Sequence, residues 1–154
     1  MIRHHLSKKD VKAIKPVLEE WGLEVGKGDR IEVAVEGDMR IILLNGQVAL
    51  VETAGRALPA LRMLWKTGVR GRTVTVDEGA VKHVLNGANI FSAGVVSASP
   101  EIKKGDVVVV VDPEGRPLAV GVAEMDSAEM VESRRGMAVR NLHYVGDRLW
   151  KMRI

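Results

Sequence analysis

Val76-Asp77-Glu78-Gly79-Ala80-Val81-Lys82-His83-Val84-Leu85-Asn86-Gly87-Ala88-Asn89-Ile90 reads as a short capped helix stopped by a glycine. Asp77 supplies the short side-chain oxygen favoured at a helix N-cap. Val81, Val84 and Leu85 recur at helical spacing and form one apolar stripe for a core. Gly79, Lys82, His83 and Asn86 fall on the other side. Gly87 ends the helix near Asn86, because glycine adopts the left-handed C-terminal conformation without penalty. Taken alone, these residues fit an ordinary exposed helix face with a glycine stop. They also fit a surface for a nucleic-acid backbone: Lys82 offers charge, His83 a flat ring, and Gly87-Ala88-Asn89 reachable backbone N–H groups.

Downstream, the chain breaks into short apolar runs at residues 88–91, Val95–Ala98, Val107–Val111 and residues 118–123. Each has the length and composition of a strand. A Pro/Gly turn at 112–116 joins the last two, and 127–131 has room for one helical turn. Residues 136–144 and 148–154 read as closing strands, with Arg148, Lys151 and Arg153 expected on one face. Upstream, Thr73–Val76 is a short strand, and the polar, basic, glycine-bearing stretch 67–72 is a linker candidate.

The N-terminal part has its own pattern. Ser7 and Asp10 resemble a capping box before Val11, Ile14, Val17, Leu18 and Trp21 at helical spacing. Pro16 either kinks that helix or starts a second one, and Gly22 is a stop. Ile31, Val33 and Val35 alternate with polar or small residues as in a half-buried strand. Met39–Leu44 and residues 48–52 are two more strands, joined by the hairpin signal Asn45-Gly46. Pro59, Leu61, Leu64 and Trp65 predict a short helix with proline near its start. Many short strands with few short helices predict an α+β chain with a small barrel.

Composition restricts the function classes. The 154 residues are 46% hydrophobic and 28% charged, a globular balance. No apolar run approaches the ~18 residues of a membrane span, and Met1–His5 lacks a signal-peptide core. There is no cysteine, which excludes disulfides, thiol catalysis and cysteine-ligated metals. A cytoplasmic location without membrane association is expected. Residues 1–72 carry 13 Lys/Arg against 9 Asp/Glu, and residues 73–154 carry 10 against 11. The net charge of +3 is too mild to imply nucleic-acid binding by itself. One glutamine, four asparagines and abundant valine point weakly to a thermophile.

No catalytic motif is present: neither Walker A, GxGxxG, GxSxG nor HExxH occurs. His4-His5 reads as a solvated tail, and His83 and His143 are isolated. A non-catalytic protein without cofactor or metal is expected. Basic groups occur at Arg134-Arg135 before Gly136, at Arg140, along Arg62, Lys66, Arg70 and Arg72, and at Lys103-Lys104 in a strand-leading turn. The aromatics are Trp21, Trp65, Trp150, Phe91 and Tyr144. Five rings are too few for a base-stacking sheet, which favours recognition by shape and backbone. Trp21 and Trp65 are expected in the core or between the two units.

The opening stretch, with Lys104-Gly105-Asp106-Val107, Ala119-Val120-Gly121 and Gly136-Met137-Ala138-Val139, resembles a PUA domain, named for pseudouridine synthases and archaeosine transglycosylases. Asn141-Leu142-His143-Tyr144, followed by Asp147 and Leu149-Trp150, is similar to the malignant-T-cell-amplified-sequence family, as is Leu58-Pro59-Ala60-Leu61-Arg62. That family, also described as translation machinery-associated, places a pre-PUA domain before the PUA domain. Two departures stand out: Ala93-Gly94 where the family often has Pro-Gly, and Ala60 where it often has Thr.

The resemblance implies an N-terminal α/β pre-PUA domain over 1–70 and a C-terminal PUA domain over 73–154, a β pseudo-barrel with short helices. It implies RNA contact at Lys82, His83, Gly87, Ala88, Asn89, Arg134, Arg135, Gly136 and Met137. The implied partners are structured RNA (tRNA or rRNA), the small ribosomal subunit and a separate initiation-factor-like protein. The implied process is initiation, reinitiation or ribosome recycling. The alternative is an accessory subunit that guides a tRNA or rRNA modification enzyme.

Overall fold

The computed structural model describes residues 2–152. Two antiparallel-rich sheets, each with short helices, divide the chain. The first has the order β1-β2-β3-β4-β5, from Arg3–His5, Ile31–Glu36, Met39–Leu44, Gln47–Thr53 and Arg56–Pro59. The second, a nearly closed barrel-like sheet, has the order β7-β11-β10-β9-β6-β8. Its strands are β6 (Thr73–Val76), β7 (Ile90–Phe91), β8 (Val95–Ala98), β9 (Val107–Val111), β10 (Pro117–Ala123) and β11 (Met137–Tyr144). Among the described residues five α-helices accompany them: α1 (Lys8–Glu20), α2 (Leu61–Thr67), α3 (Glu78–Val84), α4 (Ser127–Glu132) and α5 (Arg148–Lys151).

Local chemistry accounts for most element ends. Ser7 Oγ accepts from Asp10 N at 3.1 Å and starts α1, which runs as one helix through Pro16. Asn45 and Gly46 both take positive φ, 52° and 82°, the geometry that lets a two-residue hairpin follow strand twist. Asp77 Oδ1 accepts from Ala80 N at 2.9 Å and caps α3. Asp112, 4% exposed, ties the β9–β10 turn by accepting from Glu114 N, Arg116 N and the Arg116 guanidinium. Burial pushes its carboxyl up, but these donors and the Arg116 charge outweigh it and hold the pKa below the ordinary value.

Three segments depart from the sequence reading. His4 and His5 are exposed as expected but belong to β1, paired with β2 through His4 and Val33. Residues 56–59 form an edge strand before α2 rather than the start of that helix. The segment read as a closing strand is the helix α5, because Asp147 Oδ1 accepts from Trp150 N at 2.8 Å. Arg153, also placed on that strand, lies outside the described residues.

The run Val107–Val111 is buried on both sides, which explains its lack of alternation. Val108 and Val110 fill the barrel with Val74, Val76 and Ile90. Val109 and Val111 join Val120 in a second core with Trp21, Leu58, Leu61 and Leu64 of the N-terminal unit. One continuous apolar core therefore crosses between the units. Burying each of these three valines contributes about 1.5–3 kcal/mol.

Polar groups complete that junction. His143, 1% exposed, accepts from Leu61 N through Nε2 at 3.2 Å. Since Leu61 N–H is the donor, the ring proton sits on Nδ1 and is donated to Asp147 at 2.9 and 3.0 Å. Asp147 also accepts from Tyr144 N and Trp150 N. Burial raises the Asp147 pKa, but His143 and these two N–H groups outweigh it and hold it below its ordinary value. Trp65 Nε1 donates to Pro117 O at 2.9 Å, although the indole is 45% exposed. Trp21, at 1%, is in the core.

Candidate nucleic-acid interface

The C-terminal unit presents α3 on its surface. Val84 is buried, while Lys82 and His83 are exposed, as the apolar stripe predicts. Gly87 has φ +88° and lies against Tyr144: a Cβ there would stand 2.9 Å from Cε1 of the ring. Both the conformation and the contact require glycine at this position. The following loop is pinned to β11. Asn89 Oδ1 accepts from Asn141 N at 3.0 Å, and Asn141 Nδ2 donates to Val84 O and Ala88 O. Asn89 and Gly87 thus shape the loop, leaving Ala88 exposed.

A pocket of about 330 Å³ opens beside this helix and loop. His83, Ala88, Asn89 and Phe91 line it, together with Ala80 and Gly94. Phe91 is 54% exposed. Phe91 pairs with Met137 across β7 and β11, which sets the Arg134-Arg135-Gly136 loop beside Phe91.

Ser92 fixes that loop. It is fully buried, donates from Oγ to Met130 O at 2.7 Å and accepts from Arg134 N at 2.9 Å. Its own N–H donates to Gly136 O at 2.9 Å. Arg134 takes a positive φ of 61°, a conformation that costs a non-glycine residue free energy. Arg134, Arg135 and Gly136 are exposed, and Met137 is half-buried. Lys82, Arg134 and Arg135 make no ion pair among the described residues. Sequence reasoning passed over Phe91 and Ser92 as site residues. An isolated phenylalanine in a short strand reads as core, and a lone serine carries no motif.

The other basic groups do not gather here. Arg62 donates through Nε and Nη2 to Trp150 O, with its guanidinium 4.6 Å from the Trp150 ring centroid. Arg72 pairs with Glu20, donates to Val107 O and lies 5.1 Å from the Trp21 ring centroid. Both serve the junction of the units. Arg140 pairs with Glu124 at 3.4 Å. Among the described residues, no three His, Asp or Glu side chains gather as metal ligands would, and no helix is long and apolar enough to cross a membrane.

Comparison with known proteins matches residues 72–145 to the PUA domain and residues 2–67 to a domain of unknown function, DUF1947. An uncharacterized protein of Methanocaldococcus jannaschii is 40% identical over 98% of this chain and 96% of its own. Translation machinery-associated protein 20 of Schizosaccharomyces pombe is 35% identical over 90% of this chain and 78% of its own. Malignant T-cell-amplified sequence 2 of Mus musculus is 32% identical over 90% and 80%. The chain belongs to this PUA-domain family. The crystal structure of a hypothetical protein from the hyperthermophilic archaeon Pyrococcus horikoshii superposes with a TM-score of 0.86 at 38% identity, covering 97% of this chain and 98% of that one. The PUA domain contributes α3, the glycine loop and the Arg134-Arg135 loop, and the N-terminal unit covers the opposite side of β9 and β10.

Proposed function

We propose that the chain is a non-catalytic RNA-binding protein of translation, holding structured RNA on the face built by α3, the glycine loop, Phe91 and the Arg134-Arg135 loop. The observation that carries this reading is the combination of unpaired cations with a ring-lined apolar pocket on one face. Lys82, Arg134 and Arg135 supply phosphate contacts, and the pocket beside Phe91 and His83 receives an unstacked base. The RNA of this reading is tRNA or the small ribosomal subunit's rRNA, met in the cytoplasm, and relatives named for the translation machinery support the role in translation. An initiation-factor-like protein is the expected partner, and initiation, reinitiation or recycling the expected process.

Co-sedimentation with small ribosomal subunits across a salt series, with and without tRNA, tests the assignment. Binding to subunits that weakens steeply with salt supports it. Binding to free tRNA with none to subunits transfers the function to tRNA handling or modification.

A further inference from the structure

A cleft of about 480 Å³ runs between the two units. Its apolar lining comes from both sides, with Leu58 from the N-terminal sheet and Leu142 and Leu149 from the C-terminal unit. Arg56 of β5, Arg140 of β11 and Arg148 of α5 also line it. Among the described residues Asp147 is the single carboxylate in the lining, and its oxygens are taken up by His143, Tyr144 N and Trp150 N. Arg140 and Arg148 hold exposed ion pairs with Glu124 and Glu36, both at 3.4 Å, weak enough to exchange for a stronger anion. The Arg56 guanidinium has no hydrogen bond or ion pair among the described residues, while its backbone pairs with Thr53. The cleft therefore offers an apolar floor beside an excess of guanidinium groups.

The cleft also adjoins the face described above. Tyr144 touches Gly87 with its ring and borders the cleft at the same time. A strand of RNA leaving the glycine loop would meet Tyr144 next. We propose that the cleft takes one nucleotide of the bound RNA, with its base against Leu142 and Tyr144 and its phosphate on Arg56 and Arg148. Guanidinium groups suit this task because they bind phosphate bidentately. The N-terminal unit is then part of the RNA site through Arg56, and the shared valine core holds the two halves of the cleft at a fixed separation. This inference rests on the RNA-binding reading of the PUA face.

The test is the affinity of the full chain for bulk tRNA by fluorescence anisotropy across a KCl series. Wild type is compared with Arg56→Ala, Lys82→Ala and, as a control away from both surfaces, Lys12→Ala. The expected result is a loss of about 3- to 10-fold for Arg56→Ala, with the log–log salt slope smaller by about one, and no change in melting temperature. A 4-thiouridine-bearing tRNA should also crosslink to the tryptic peptide 141–148. Loss of affinity in Lys82→Ala alone, with no crosslink to that peptide, overturns the cleft and leaves the PUA face standing. Unchanged affinity in both Lys82→Ala and Arg56→Ala removes both readings. If Arg56→Ala instead abolishes binding of a fluorescein-labelled alternating Glu-Leu peptide while tRNA affinity holds, the cleft is a protein site and the inference fails.

Discussion

The junction between the units and the outer face of the PUA domain use the same residue types in opposite ways. At the buried junction His143, Asp147, Arg62 and Arg72 all have partners within the chain. His143 bridges Leu61 N and Asp147, Arg72 pairs with Glu20, and Arg62 donates to Trp150 O. On the outer face Lys82, Arg134 and Arg135 have no ionic partner among the described residues, and Phe91 is half in solvent. Buried polar groups must be satisfied internally or the fold loses free energy. Exposed cations left unpaired cost the fold little and remain available to a ligand. Substitutions at the junction should therefore change stability, and substitutions on the face should change RNA affinity.

The largest effect is expected from His143→Ala. It leaves Leu61 N–H and the Asp147 carboxylate without their partner in a buried place and opens a cavity. A loss on the order of 3 kcal/mol follows, or roughly 6–12 °C in melting temperature for a domain of this size. Thermal unfolding measures it, and a shift below about 1 kcal/mol would break the contrast. Gly87→Val comes next, through the positive φ and the approach to Tyr144. A loss of about 1–3 kcal/mol is expected by denaturant titration, together with weaker RNA binding because the loop moves. This variant sharpens the contrast, since Gly87 is the point where the two kinds of surface meet.

Much of the fold was legible because local signals and tertiary needs agree. Asp77 and Gly87 bracket α3, Asn45-Gly46 turns the hairpin, and Ser7 opens α1. The five valines at 107–111 were legible as a strand, but nothing local says that alternate residues serve two different cores. Segment 148–154 was read as a strand with Arg148, Lys151 and Arg153 on one face, although a period of two sets Arg148 opposite the other two. The deciding term is the Asp147 side chain, whose oxygen captures Trp150 N and winds one helical turn. His143 looked isolated because its partner Leu61 N lies 82 residues away. The face itself was legible in α3 and the glycine loop. Phe91 and Ser92 were hidden, since their roles depend on the β7–β11 pairing and on a buried hydrogen bond to a loop some 40 residues later.

Smaller effects separate the regions by pH. Asp147 has a folded pKa below its ordinary value of 3.8, so its stabilisation is complete above that value and is lost as pH falls through the folded pKa. The stability gap between wild type and Asp147→Asn should shrink as pH falls below about pH 4. Chemical denaturation at a series of pH values measures it. A gap that grows as pH falls from about 4 to 2 would contradict the assigned hydrogen bonds. The smallest stability effect belongs to the outer face: Lys82→Ala and Arg135→Ala should each change unfolding free energy by less than about 0.5 kcal/mol.

The most direct measurement is the salt dependence of tRNA affinity for the Lys82→Ala/Arg135→Ala double variant, taken with its melting curve. A log–log slope smaller than wild type by about two, affinity reduced by about tenfold or more, and an unchanged melting temperature are predicted. An unchanged slope in a folded double variant would contradict the claim that this face holds RNA.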